Sequence, residues 1–574
     1  MPILDYIIIF VFAIGVIGAG ISFRKAGARN MKSFFAAGGA VPYGISGLSL
    51  FMSFFSAGTF VVWGAIAYNH GLVSISIQWT MCLAGFFIGF VLAPRWRKTK
   101  ALTAAEFITQ RFGLRIQKLY TYIFIFISLF TVGAFLYPVA RIISTSTGFS
   151  LSACIIFLGS AIILYTTFGG LMAVVVTDVL QFIILTSAVF LVIPFSFNEI
   201  GGVQNFIQHA PENFFDFAID VEYTWPFLFA FAFYNIFFIG GNWSYVQKYL
   251  VVDSVRSAKK VGWLFGFLYL ISPVIWMLPP MIYRVYNPGL STTGAEDAYI
   301  LMCKTVLPMG MLGLLLGAMF FATGSSVSTA LNISAGVFTN DIYKNLKKNI
   351  AKNITNTELI TVGRLSTIIF GAITIVVALS VPHMGGIVNV VLKVASITGG
   401  ALYLPAIWSL FSKKHSGISL FTITAIVLFV NMMLQVIAPA INPAWDMTRA
   451  QDTILGVVLP LLLLSFYEVY AYLKGKSDSK DYNTYQEWQK QKELVSISED
   501  DKLAASKANN YSLVVIGIGL MVTGLIIGTL GIIAKEGGGL TIAVGTLIII
   551  IGFIIRLSAL KARKKKDNNT KKTN

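Results

Sequence analysis

Long apolar runs, each closed by a short polar stretch, recur from one end of the chain to the other. A run of about 20 apolar residues suits a helix crossing roughly 30 Å of hydrocarbon. The pattern predicts spans at 3–23, 41–68, 72–93, 118–147, 150–168, 172–197, 223–250, 260–286, 306–338, 358–381, 386–411, 418–439, 450–472, 510–533 and 538–558. Two are interrupted near their middle. Span 41–68 contains Ser53-Phe-Phe-Ser56-Ala-Gly58-Thr59, and span 223–250 contains Gly240-Gly241-Asn242-Trp-Ser244-Tyr245. Small residues and adjacent glycines weaken a helix at membrane depth. The interruptions lie five spans apart, which points to an inverted repeat whose helices unwind around a central site. Close packing through small residues is the competing reading of either alone.

A third unusual span, 306–338, contains Ala322-Thr-Gly-Ser325-Ser326-Val-Ser328-Thr329-Ala-Leu-Asn332. Ser325, Ser328 and Thr329 fall at i, i+3 and i+4 and share one face. Ala322, Ser326 and Thr329 form an adjacent stripe. Clustered hydroxyls suit a small hard cation such as sodium, with carbonyls from an unwound helix completing its shell. The simpler role is back-bonding to carbonyls one turn earlier. Asp178 is the acid placed well inside a span, about 9 Å from its cytoplasmic end. An intramembrane carboxylate costs about 2.5–3.5 kcal/mol to insert, so it points to an ion path, with a buried bracing partner as the alternative. Arg141 and Lys393 are intramembrane cations. Each is suited to bind an anionic substrate, to close a gate with an acid, or to snorkel.

Composition sharpens this picture. Of 574 residues, 56% are hydrophobic and only 12% charged, with mean hydropathy +0.76. That is about half the usual charged fraction, too little to coat several soluble cores. Cys82, Cys154 and Cys303 have no metal or disulfide spacing and read as core residues. The net charge of +18 reflects topology. Segments 24–40, 94–118, 248–260, 341–357, 412–417, 473–509 and 559–574 hold 35 of the 43 Lys and Arg. Alternate loops hold four, and 199–222 carries acids but no Lys or Arg. This bias predicts an N-terminus outside, fifteen crossings and a C-terminus inside. Nucleic-acid binding is not needed to explain the charge. Segment 473–509 reads as a charged cytoplasmic linker with a surface helix around Tyr485–Leu494. The tail Lys561-Ala-Arg-Lys-Lys-Lys566 reads as a topology anchor that also suits anionic lipid. No basic residue precedes the first span, and Arg24, Lys25, Arg29 and Lys32 follow it, so it does not read as a cleaved signal peptide. No nucleophile–base pair, metal motif or phosphate loop marks an enzyme.

Several motifs carry a resemblance. They are Thr167-Phe-Gly169-Gly170-Leu171-Met-Ala173 with Thr177-Asp178-Val-Leu-Gln181, and Ser325-Ser326-Val-Ser328-Thr329-Ala-Leu331-Asn332 running to Phe338-Thr-Asn-Asp341-Ile-Tyr343. Thr103-Ala-Ala-Glu106-Phe, Arg111-Phe112-Gly113 and Gln247-Lys248-Tyr249-Leu250 support them. Over about residues 1–470 the chain resembles the sodium/solute symporter family, with Lys248 where the family usually has Arg. The resemblance implies an all-α polytopic membrane protein with a LeuT-type 5+5 inverted repeat. Its parts would be a leading helix and cytoplasmic loop (1–40), a first repeat (41–197), an extracellular loop (198–222) and a second repeat (223–411). Two trailing helices (412–472), a linker (473–509), two additional helices (510–560) and a basic tail (561–574) follow.

The same resemblance implies a common sodium site at the Met52, Phe55 and Ala322 carbonyls and the Ser325 and Ser326 hydroxyls. A second sodium site would use Asp178, Ser325, Ser328 and Thr329. Positions used by galactose-transporting members fall at Thr59, Gln78, Asn242 and Tyr269, of which only Asn242 agrees. Positions used by sialic-acid-transporting members fall at Ser56, Thr59 and Gln78, which agree. Their carboxylate-binding Arg falls at Thr131, with Arg141 further along the same helix. Tyr245 is the implied inner gate. The expectation is a plasma-membrane symporter importing a sugar or sugar acid with one or two sodium ions and no obligate protein partner. Import of another small carboxylate or amino acid, coupling to protons through Asp178, and a transporter-like sensor are the alternatives.

Overall fold

The computed structural model describes residues 1–22, 41–101, 103–168, 174–343, 356–493, 499–533 and 538–573. Secondary structure among them is helical throughout, apart from one isolated bridge between Val41 and Val252. The helices are α1 (Ile3–Ser22), α2 (Tyr43–Met52), α3 (Gly64–His70), α4 (Val73–Lys98), α5 (Ala104–Phe112), α6 (Leu114–Thr147) and α7 (Leu151–Phe168). There follow α8 (Val174–Glu199), α9 (Val203–His209), α10 (Trp225–Gly241), α11 (Trp243–Leu250), α12 (Val255–Tyr286), α13 (Ala298–Val306) and α14 (Met311–Val337). The chain closes with α15 (Asn356–Ser380), α16 (Ile387–Trp408), α17 (Gly417–Ile441), α18 (Arg449–Leu473), α19 (Lys480–Glu493), α20 (Glu499–Ile533) and α21 (Gly538–Thr573).

Nine of these helices are long and apolar enough to cross a membrane, or eleven when two sharply bent pairs count as spans. Fifteen spans were expected. Spans 3–23, 150–168 and 306–338 carry side chains outside the described residues, and the remaining one, 41–68, is broken. Span 41–68 divides into α2 and α3, and neither half reaches crossing length alone. The pair α10 and α11 bends by 63° at Asn242, and α8 and α9 bend by 71°. The glycine run Gly169–Ala173 and the leading loop 23–40 lie outside the described residues.

Helix ends follow local chemistry. Thr103 Oγ1 accepts the Glu106 N–H at the start of α5, and Ser254 caps α12 in the same way. Thr448 and Gln451 form a reciprocal capping box on α18. Such caps satisfy amides that have no partner within their own helix. One cap comes from a distant helix. Asp5 on α1 is buried and accepts the Gly310 and Gly313 N–H groups, at 2.8 and 2.9 Å, where α14 begins. A carboxylate suits the positive end of a helix. The sequence reading, which singled out Asp178, passed over this acid.

Segments that the charge pattern assigns to one side of the membrane meet each other. Arg449 pairs with Glu222 at 2.7 Å, both assigned outside. Arg97 donates to the Val252 carbonyl, and Lys414 pairs with Asp478, all assigned inside.

The two halves of the chain interlock where α4 crosses α12. Gly85 and Gly89 on α4 face Gly262 and Gly266 on α12. A Cβ on Gly85 would lie 2.7 Å from Gly266 Cα, and one on Gly262 2.6 Å from Gly89 Cα. Helices in lipid gain from such close backbone approach. We predict that Gly85→Ala destabilises the protein by about 1–3 kcal/mol, the usual cost of overpacking. Gly44→Ala, with no atom near its added Cβ, should leave stability unchanged. Thermal unfolding in detergent tests the pair. Equal midpoints would mean that the crossing tolerates separation.

Candidate sodium and solute site

The backbone between α2 and α3 decides what the first break can do. At the end of α2 the Ser53 N–H donates to the Ser49 and Leu50 carbonyls, and the Phe54 N–H to Phe51. Helical pairing then stops. The Ser56 N–H donates to Thr59 Oγ1 at 3.2 Å, and the Thr59 N–H to the Ser56 carbonyl at 3.0 Å. In a continuous helix these two amides would serve the Met52 and Phe55 carbonyls. Those are the two carbonyls that the resemblance assigns to sodium, and both lose their usual donor. Thr59 Oγ1 also donates to the Phe54 carbonyl at 2.8 Å, so one hydroxyl braces the break from both directions. The chain resumes as a single π-helical turn, Thr59–Trp63, a form common at functional sites.

Helix α14 lies directly against this break. The Ala57 N–H donates to Thr323 Oγ1 at 3.3 Å, and both groups are buried. Ala322 is buried beside it. Ser326 Oγ stands 3.4 Å from the Ala322 carbonyl. A normal hydroxyl bond is about 2.5–3.0 Å, so this back-bond is weak and leaves both oxygens free to turn. The arrangement offers neutral hard oxygens at a helix break, a donor set suited to a small hard cation. The side chains of Asp178, Ser325, Ser328 and Thr329 lie outside the described residues.

The second break is built differently. Asn242 Oδ1 accepts the Ser244 N–H at 3.0 Å and caps α11. The Gly240 carbonyl, freed from that amide, accepts the Trp96 Nε1–H at 2.8 Å. A Cβ on Gly241 would lie 2.4 Å from the Tyr403 carbonyl, so only glycine lets α16 approach here. Asn242 Nδ2 reaches Tyr403 Oη at 3.4 Å.

An aromatic box joins the two breaks. Phe54 stands 4.5 Å from Tyr245, 5.9 Å from Phe238 and 6.4 Å from Tyr269, between ring centroids. Thr59, Tyr245, Tyr269 and Gln78 are buried, and Ser56 is half-buried. Gln78 on α4 has a buried Oε1 with no hydrogen-bond partner, while its Nε2 makes only a long 3.4 Å contact with the Ser74 carbonyl. An unmet buried acceptor awaits a donor. The sequence reading missed Thr323, Phe54 and Tyr403. A Thr or Phe in an apolar run carries no signal until a second helix is placed against it.

Both ends of the site are tied shut. On one side Lys248 Nζ lies 2.8 Å from Ser49 Oγ, and Ser46 Oγ donates to the Lys248 carbonyl at 2.7 Å. These bonds join α11 to α2. On the other, Arg141 binds Asp297 through two 2.7 Å bonds, and Thr145 donates to the same carboxylate. Tyr137 Oη donates to Glu296 Oε2 at 2.8 Å, while Glu296 Oε1 accepts the Ile387 N–H at 3.0 Å. Burial pushes the Glu296 carboxyl above its ordinary range, against the pull of these donors. Lys393 pairs with Asp452 at 2.8 Å and with Asp446 at 3.4 Å. Arg141 and Lys393 are thus each paired with an acid in this conformation.

Paired helix breaks with freed carbonyls against a hydroxyl-bearing helix define an ion-coupled membrane transporter of the LeuT-type fold. Residues 34–417 match the model of the "Sodium:solute symporter family". The chain belongs to that family, whose members are sodium-coupled transporters and not enzymes. It is 26% identical over 390 residues to the sodium/sialic acid symporter NanT of Aliivibrio fischeri, covering 65% of this chain and 75% of that one. It is 27% identical over 454 residues to the sodium/glucose cotransporter of Vibrio parahaemolyticus, covering 71% and 80%. A substrate-bound, outward-open structure of a Na+-coupled sialic acid symporter superposes with a TM-score of 0.65. It covers 82% of this chain and 98% of that one at 23% identity, a likeness of fold. The protein is therefore a multi-pass sodium-coupled symporter.

We predict that Thr323→Val, which keeps shape but removes the acceptor for the Ala57 N–H, weakens sodium-dependent thermal stabilisation. An unsatisfied buried amide costs about 1–3 kcal/mol, and if that whole cost falls on the sodium-bound state the affinity drops by roughly 5- to 150-fold. Thr323→Ser should retain it. Identical sodium dependence in Val and Ser variants would remove Thr323 from the site.

Proposed function

We propose that this symporter uses sodium to import a sugar or sugar acid across the plasma membrane by alternating access, with ion and solute meeting at the break between α2 and α3. The observation that carries this reading is the release of the Met52 and Phe55 carbonyls directly beside Thr323 of α14. Sodium held by these carbonyls, the Ala322 carbonyl and the Ser325 and Ser326 hydroxyls ties α2 to α14. Binding energy realised in only one state then shifts the equilibrium between outward and inward forms. A second sodium at Asp178, Ser325, Ser328 and Thr329 belongs to the same proposal and rests on the family motifs.

The solute would lie among Ser56, Thr59, Gln78, Asn242 and Tyr269, with Tyr245 and Phe54 as the aromatic floor. Hydroxyl and amide groups around aromatic faces suit a polyhydroxylated ring. Relatives named for sialic acid and for glucose support that chemistry. With Arg141 held by Asp297, recognition of a carboxylate would fall to hydroxyls, amides and backbone N–H groups. The fifteen crossings, the outside N-terminus and the two repeats at 41–197 and 223–411 complete the proposed topology. The matched breaks at Ser53–Gly58 and Asn242 support the two repeats, and the Lys and Arg bias supports the orientation.

Proteoliposome uptake tests the reading. Ser325→Ala with Ser326→Ala should reduce sodium-driven uptake roughly 10- to 100-fold, the effect of losing charge-assisted contacts worth about 1.5–3 kcal/mol. Gln78→Ala should weaken solute affinity more than sodium affinity. Ordinary sodium dependence in the double variant would remove the common site from this helix. Asp178→Asn addresses stoichiometry. With two sodium ions, its charge-to-solute flux ratio should fall, whereas a purely bracing Asp178 would lower stability at an unchanged ratio.

A further inference from the structure

The family reading leaves the cytoplasmic segment after α18 without a task. Its helix α19 is polar along its length, yet it is fixed to the transporter body at several points. Asp481 Oδ2 accepts the Gly417 N–H at 2.9 Å, placing a carboxylate on the first turn of α17. The Ser479 N–H donates to the Lys413 carbonyl at 2.9 Å, and Lys414 pairs with Asp478 at 3.2 Å. The Arg111 guanidinium, almost wholly buried, lies 5.0 Å over the Tyr482 ring and 4.7 Å over Phe112. Its Nη2 donates to the Ser412 carbonyl, while Nε and Nη1 have no hydrogen-bond partner. Burial lowers its pKa to about 10 despite nearby Asp481 and Asp478. The helix is therefore clipped to α5 on one side and to the junction of α16 with α17 on the other.

From α19 a buried chain of contacts leads to the second helix break. Tyr485 is buried and meets Phe107 of α5 edge-on at 5.6 Å. Phe107 meets Trp96 of α4 at 5.1 Å. Trp96, with no exposed surface, donates its indole N–H to the Gly240 carbonyl. That carbonyl is the one released where Asn242 redirects the Ser244 amide. Beyond the break, α11 is tied to Phe54 through Tyr245, three residues after Asn242, and to Ser49 through Lys248, six residues after it. Rigid packed side chains pass a displacement along such a chain because a dense core cannot absorb it locally.

We propose that Tyr485, Phe107 and Trp96 are positioning residues for transport. Through them α19 holds the α10–α11 break in its cytoplasm-closed form, and opening toward the cytoplasm requires α19 to release α5. This inference rests on the symporter reading and deepens it. The cytoplasmic linker thus sets the balance between the two access states without touching sodium or solute.

Hydrogen–deuterium exchange on the full-length protein in nanodiscs tests this together with sodium titration. Sodium should protect α11 amides in the wild type, and absence of that protection would count against the symporter reading itself. Tyr485→Ala should raise exchange of the 243–250 amides about tenfold, the mark of a more populated open state. It should also raise the sodium concentration for half-maximal uptake several-fold. Trp96→Phe, which keeps the ring contact but removes the N–H, should raise exchange at 243–250 while α19 stays protected. Tyr485→Phe keeps the ring and should match the wild type, which controls for misfolding. If Tyr485→Ala raises exchange only in α19 and α5, with 243–250 and sodium dependence unchanged, α19 is a structural ornament and the proposal fails. Failure of Trp96→Phe to affect 243–250 overturns the relay.

Discussion

Lipid cannot hydrogen-bond a peptide group, and every other feature of this molecule answers to that constraint. A helix that stops inside the membrane must find partners for the amides and carbonyls it exposes. At the first break Thr59 supplies both a donor and an acceptor, and Thr323 accepts the Ala57 amide from across the helix interface. At the second, Asn242 and Trp96 divide the task. The Met52 and Phe55 carbonyls lose their helical donors, and these are the oxygens a cation can use. In the proposed site, coupling would follow from incomplete satisfaction: the ion would supply what the broken helix lacks.

The same economy explains the ties at the two ends. At one end, α2 and α11 are joined by Lys248, Ser49 and Ser46. The opposite end is closed by Arg141 with Asp297 and by Tyr137 with Glu296. Each tie is a small set of charged or hydrogen-bonded groups between elements that must separate during alternating access. Each involves only a few directional bonds, which are lost together once the two elements move apart by more than hydrogen-bond reach. The apolar cores within each half, and the glycine contact of α4 with α12, are the parts built to remain together.

Helices α20 and α21 sit outside this scheme. They pack as an antiparallel pair through Gly517, Gly524, Gly545 and Gly552, with backbone approaches that leave no room for a Cβ. A Cβ on Gly310 would lie 2.5 Å from the Leu530 side chain, so α20 rests beside the point where Asp5 caps α14. The pair thus leans against the transporter body, whereas α19 contacts α5 and the start of α17.

Much of this architecture was legible in the amino-acid sequence. Hydropathy marks most spans because a lipid-exposed helix must be apolar whatever it packs against. The breaks at Ser53–Gly58 and Gly240–Asn242 are visible because glycine and hydroxyl residues conflict locally with the surrounding pattern. The bias of Lys and Arg predicted sides for the loops, and contacts such as Arg449 with Glu222 and Lys414 with Asp478 join segments given the same side. What the sequence could not supply was pairing across distance. Nothing in an apolar run distinguishes Thr323 from any other threonine until α14 lies against Ala57. The acid partners of Arg141 and Lys393 were unknown until Asp297 and Asp452 were placed beside them. Local pattern reports the solvent each residue must face. Partnership depends on helices hundreds of residues apart, and only tertiary packing decides it.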